Sequence, residues 1–264
     1  MINNVKAALD VVLGTVTTLQ NANGAGRIFE LFIMSGIATR LQQQGFDVWL
    51  QRSDGSRMMP SDADRRFIQR GGSPTGVPPA IAGPDNASVI AFQRIASGSE
   101  WEMWNGIEFH GRSGATHEID IAVVPRHVGA QLRVTGGFPF GRPRVAIECK
   151  DVGRAGGVDE MRAFVARLHD LTILQWHQPY LGFAPPTQGI YPGTLNGFYA
   201  ARTTYWQENR HTFNAVARRT GFASGAAALT GYYAIEPHGY ITLGSAAAAT
   251  LMDAVVEWVV TSCP

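Results

Sequence analysis

Two short apolar runs carry charge in their interiors, and they constrain this chain more than any other feature. The first is HEIDIAVV, residues 117–124, and the second is RVAIECK, residues 144–150. Both have the length and the β-branched content of buried strands. Side chains alternate faces along a strand. Ala146, Glu148 and Lys150 therefore share one face of the second run, and Val145, Ile147 and Cys149 share the other. In the first run Glu118, Asp120 and Ala122 share a face opposite His117, Ile119 and Ile121. A buried charge must be paired or bind a metal. If the two strands are neighbours, Asp120, Glu148 and Lys150 converge. Two carboxylates beside an ammonium make a site for a hard cation.

Composition sharpens one of these residues. The chain has 20 arginines and only two lysines, Lys6 and Lys150. Arginine is planar and permanently charged, whereas lysine is a compact charge whose pKa shifts when buried. A site that must orient or deprotonate a water needs the lysine. Chance placement of one of two lysines is the bland alternative.

Asp120, followed on the next strand by Glu148-Cys149-Lys150, resembles the PD-(D/E)XK nucleases, the restriction-endonuclease-like superfamily. Asp120 matches the first acidic position and Glu148-Cys149-Lys150 the (D/E)-x-K, while Ile119 stands where a proline often precedes the acid. The resemblance covers about residues 24–220. It implies an α/β fold, a mixed central sheet flanked by helices. It implies Mg²⁺ or Mn²⁺ held by Asp120, Glu148 and the Cys149 carbonyl, with Lys150 positioning or deprotonating the attacking water. It also implies a nucleic-acid substrate, most often double-stranded DNA, and homodimers that cut both strands in restriction, phage defence or repair. In the family a helix before the core sheet often aims a Glu at the metal, which makes Glu30 a further catalytic candidate. The residues themselves leave a second reading of Glu30, a first-turn carboxylate favoured by the helix dipole.

The rest of the chain reads as one domain with insertions. At 264 residues it can bury a substantial core. Val5 to Leu19 has helical spacing, and a stronger helix runs over 27–44 to Gly45. Residues 46–50 read as a strand, and 51–86 as a Pro/Gly-rich insertion with a short helix near 62–69. Residues 87–94 read as a strand or short helix, and 101–112 as a strand that turns at Gly114 into the Asp120 strand. A short strand is expected at 131–134 and a helix at 158–171 behind the glycines of 153–157. An aromatic, Pro-rich insertion follows at 172–196, then a strand at 196–205 and a helix at 210–220. The C-terminal part, 221–264, reads as a hairpin (232–235 with 240–243) and a helix capped by Ser245.

A net charge of +1 makes no global electrostatic statement, so a nucleic-acid surface must be local. The candidates are Arg52, Arg57, Arg65, Arg66 and Arg70 on the first insertion, and Arg112, Arg142, Arg144 and Arg154 near the acidic residues. The same arginines also fit a solvated surface. Asp62 and Asp64 have the spacing of paired metal ligands but read better as helix-capping residues. His117 reads as a packed histidine, and Glu118 as a neighbour of the site. No zinc spacing, Gly-x-Ser-x-Gly elbow or Walker loop occurs. Two cysteines imply no disulfide framework, and no signal peptide or membrane span is evident, which fits a cytoplasmic protein. Two other functions fit the same fold: a nucleic-acid-binding module that does not cleave, and a sensor or partner subunit.

Overall fold

The computed structural model describes residues 3, 5, 7, 18–20, 24–52, 54–68, 89–95, 98–135, 138–139, 141–171 and 212–263. In chain order the elements are β1 (Thr18–Gln20), α1 (Ala25–Gln43), β2 (Phe46–Gln51), β3 (Arg66–Ile68), β4 (Val89–Arg94), β5 (Glu100–His110) and β6 (Thr116–Pro125). Then follow α2 (Arg126–Thr135), β7 (Val145–Lys150), α3 (Val158–Asp170), β8 (Phe213–Arg218), α4 (Ser224–Tyr232), β9 (Glu236–His238) and α5 (Ala246–Ser262). Seven strands form one sheet in the order β2-β4-β5-β6-β7-β8-β9. Pairing is antiparallel from β2 to β7 and parallel from β7 to β9. β1 and β3 pair in parallel as a separate two-stranded sheet. The fold is the expected α/β arrangement, a mixed sheet flanked by helices.

Each face of the sheet is apolar and each is covered. On one face Phe29, Ile33, Ile37 and Leu41 of α1 and Leu251, Val255 and Val259 of α5 pack with Ile90, Ile121, Ile147 and Ala215. On the other, Leu132 of α2, Met161, Phe164 and Leu168 of α3 and Ala226 of α4 pack with Trp104, Ile119, Ala146 and Val216. Truncating a fully buried residue such as Phe164 to alanine costs about 3–5 kcal/mol. α1 ends as the sequence predicts. Gly45 adopts φ 82, a left-handed conformation that stops a helix. Ser245 likewise caps α5, its hydroxyl accepting from the Ala248 amide at 3.1 Å.

Five local expectations are overturned. Thr18–Gln20 is a strand rather than the end of the expected first helix, although Asn3, Val5 and Ala7 are helical. The helix near 62–69 is replaced by β3, so Asp62 and Asp64 cap no helix there. The strand at 131–134 is instead the second half of α2. The helix at 210–220 is β8, whose six residues are all buried. A strand covered on both faces loses the polar alternation that marks a strand, and its apolar run is ambiguous with a helix. Finally, the expected 232–235/240–243 hairpin does not form: helix α4, favoured by its run of alanines, runs to Tyr232, and β9 lies at 236–238, between the two expected strands. Arg70, the 172–196 insertion and the 196–205 strand lie outside the described residues. Among the described residues no helix is long and apolar enough to cross a membrane.

Candidate active site

The sheet opens at its centre. β6 and β7 pair at Val123–Val145, Ala122–Ala146 and Ile121–Ile147, and there the ladder ends. Beyond it the Cys149 amide donates to Asp120 Oδ2 at 2.7 Å instead of to a strand carbonyl. The N–H and C=O of a strand residue face the same neighbouring strand. The Cys149 carbonyl therefore edges the same gap. A second irregularity lies beside the break in β5, where Gly106 falls between the Asn105–Ile121 and Ile107–Ile119 pairs. Gly106 has φ 60, which a residue with a side chain adopts only under strain. Strict alternation fails at this point. Ile119 and Ala122 both join the α3-side core, whereas Ile121 joins the α1-side core. The expectation that Glu118, Asp120 and Ala122 share one face rests on unbroken alternation and does not hold across Asp120.

The charged residues meet around this gap. Lys150 Nζ pairs with Glu148 Oε1 and lies 3.8 Å from Asp120 Oδ2. Arg167 of α3 places Nη2 2.6 Å from the same Glu148 oxygen. The Glu148 side chain is only 3% exposed, and its other oxygen, Oε2, is buried with no hydrogen-bond partner among the described residues. Glu30 projects from the second turn of α1, so the first-turn dipole reading does not apply to it. Glu30 Oε2 accepts from Asn105 Nδ2 at 2.6 Å, and Asn105 Nδ2 also donates to the Asp120 carbonyl at 2.9 Å. Asn105 thereby ties Glu30 to the strand that carries Asp120.

Electrostatics follow from this crowding. Burial, and then the neighbouring Glu148 carboxylate, raise the Asp120 pKa to about 7, against the opposing pull of Lys150 and the Cys149 amide. Burial also raises Glu30, although Asn105 donates to it. For Lys150 burial works against the charged form, but Glu148 and Asp120 outweigh it and hold its pKa above the usual value. Lys150 is thus a fixed cation at neutral pH. The arrangement fits a hard divalent ion: carboxylate and carbonyl oxygens around one gap, with a buried carboxylate oxygen lacking a partner. Among the described residues no three His, Cys, Asp or Glu side chains gather for a metal. The donor set here is two carboxylates and a backbone carbonyl.

The candidate nucleic-acid arginines divide by environment. Arg57 forks onto both oxygens of Asp47, at 2.8 and 2.9 Å. Arg52 pairs with Asp62, Arg66 with Asp64, and Arg65 donates to the Pro60 carbonyl. All four lie on the arm that leaves β2 and leads to β3. Arg112 is 6% exposed and donates to the His169 carbonyl, and fully buried Arg142 donates to that of Leu168. These two tie the β5–β6 hairpin and the approach to β7 onto the end of α3. Arg144 is half-buried at the entry to β7, whereas Arg154 is exposed on the loop after it.

Reasoning from sequence missed two residues at the site, Arg167 and Asn105. Asn105 had a usable signal, because Asn-Gly in the middle of an apolar strand is a turn dipeptide out of place. Arg167 had none, since nothing in a helix's sequence says which strand its arginine will reach. His117 is a satisfied histidine, as expected, 2.7 Å from Asp170. Cys149 and Cys263 are buried free thiols. No family model matches the chain, and neither the curated proteins nor the solved structures yield a match.

Proposed function

We propose that this chain is a metal-dependent nuclease that hydrolyses phosphodiester bonds, with double-stranded DNA as its substrate. The observation that carries this reading is the convergence of Asp120, Glu148 and Lys150 on one gap, where Glu148 Oε2 is buried and unpartnered. The resemblance to PD-(D/E)XK nucleases supports it and implies a role in restriction, phage defence or repair. Asp120, Glu148 and the Cys149 carbonyl would hold Mg²⁺ or Mn²⁺. When bound, the ion polarises a phosphate oxygen and makes a bound water a stronger nucleophile.

The chain's own groups do the rest. Asp120 must lose its proton before it ligates, because only the carboxylate binds the ion. Its raised pKa makes ion uptake weaken as pH falls below about 7. Lys150 keeps its proton at neutral pH, so it serves as a donor rather than a base. It orients the attacking water and stabilises negative charge developing on the phosphate. Glu30, raised by burial, stands ready to take up a proton beside Asp120. A homodimer would supply two such sites, one for each strand of a duplex.

Supercoiled plasmid incubated with the purified chain, Mg²⁺ or Mn²⁺, and EDTA as control tests this reading. Metal-dependent nicking that Lys150→Ala abolishes supports the assignment. A folded protein that binds DNA without cutting it, with either ion, would turn the reading to a binding module.

A further inference from the structure

β6 and β7 separate at Ile121–Ile147, yet the two lips of the gap must stay at one spacing if Asp120 and Glu148 are to act on one ion. Arg167, in the last turn of α3, touches both lips. Its Nη1 donates to the Glu118 carbonyl on β6 at 3.2 Å, and its Nη2 lies 2.6 Å from Glu148 Oε1 on β7. The guanidinium is held in place by packing, 5.4 Å from the centroid of the Phe164 ring one turn earlier. Phe164 is itself fully buried. Lys150 occupies the same Glu148 oxygen, Oε1, so both cations leave Oε2 unengaged.

We infer that Arg167 is a positioning residue for the cation site: its fork bridges the parted strands and orients Glu148 so that Oε2 is the oxygen offered to the ion. The inference rests on the metal-dependent reading above. A guanidinium's planar array of donors suits a bridge between a carbonyl and a carboxylate, whereas an ammonium is a point charge. Two roles for Arg167 predict opposite signs. If it only balanced charge, deleting it would remove a repulsion and tighten cation binding. If it positions Glu148, deleting it weakens cation binding, as loss of groups that orient metal ligands does by about 10–100-fold.

The test is Mn²⁺ binding to the metal-free 264-residue chain, by calorimetry or by loss of the free-ion spin-resonance signal, alongside circular dichroism melting. Arg167→Ala is expected to weaken Mn²⁺ affinity about 10–100-fold, and Arg167→Lys to recover only a small part of that loss. Equal or tighter binding by a folded Arg167→Ala variant overturns the inference. If that variant does not fold, a folded Arg167→Lys variant that binds as tightly as wild type overturns it as well. Wild-type protein that takes up no Mn²⁺ would instead overturn the metal reading, and this inference with it. The two failures are distinguishable because the second appears before any substitution is made.

Discussion

Two charged clusters meet the end of α3 within three residues of each other, and they are built oppositely. At the hairpin tip Asp170 is fully served. Its Oδ1 accepts from the Ser113 amide at 2.9 Å, and its Oδ2 accepts from the Ser113 hydroxyl at 2.6 Å and faces His117 Nε2 at 2.7 Å. Burial pushes its pKa up, but the Ser113 and His117 contacts prevail and leave it below the usual carboxylate value. At the gap, burial and Glu148 drive Asp120 the other way, and among the described residues Glu148 Oε2 has no donor. A fully served carboxylate fastens a hairpin to a helix. An underserved pair at the centre of a sheet leaves an acceptor open to a proton or a ligand.

The comparison breaks most visibly at Lys150. Lys150→Ala is expected to lower the plasmid-nicking rate by about a thousandfold or more while leaving the melt cooperative, since the loss falls on charge stabilisation. A rate within tenfold of wild type would remove the gap from the reaction. Asp170→Ala should do the reverse, preserving a measurable nicking rate but destabilising the fold by about 2–3 kcal/mol at pH 7 in a urea titration. Because the Asp170 pKa is depressed in the folded state, its contribution is present above the ordinary aspartate pKa and is lost as pH falls through the folded value. The deficit of the variant should therefore shrink in acid.

Asp120 gives a smaller effect of the opposite sign. Its folded-state pKa, about 7, lies above its unfolded value, so the native state binds the extra proton between those two values and stability falls as pH rises through that window. Asp120→Asn, without metal, should thus be more stable than wild type at pH 8 by on the order of 1–2 kcal/mol, the gap closing toward pH 4. A pH-independent difference would mean that Asp120 does not titrate there. The smallest effect belongs to the exposed arm. Arg57→Ala removes a pair with Asp47 whose side chains are 46% and 40% exposed, and should change stability by less than about 0.5 kcal/mol. If the arm touches DNA, the same variant lowers the salt slope of binding by about one.

Much of this was legible in the residues because strands and helix ends are local. Alternation along 144–150 correctly separated Glu148 and Lys150 from Val145, Ile147 and Cys149. Gly45 and Ser245 marked the end of α1 and the start of α5 by their own conformation and chemistry. Glu30 was legible only through the resemblance, as a carboxylate on the helix before the core sheet. β8 and α4 were misread because an apolar or alanine-rich run carries no period that separates a doubly covered strand from a helix.

The sequence by itself placed Asp120, Glu148 and Lys150 inside two short strand-like runs and, through the order of its elements, pointed to the α/β class; that the two runs are neighbours is a property of the folded sheet. Tertiary structure decided where β6 and β7 part, that the Cys149 amide turns to Asp120, and that Arg167 and Asn105 reach the gap. Arg167 reaches Glu118 across 49 positions, and Asn105 reaches Glu30 across 75. Those contacts depend on how helices dock on a twisted sheet, which no local pattern encodes.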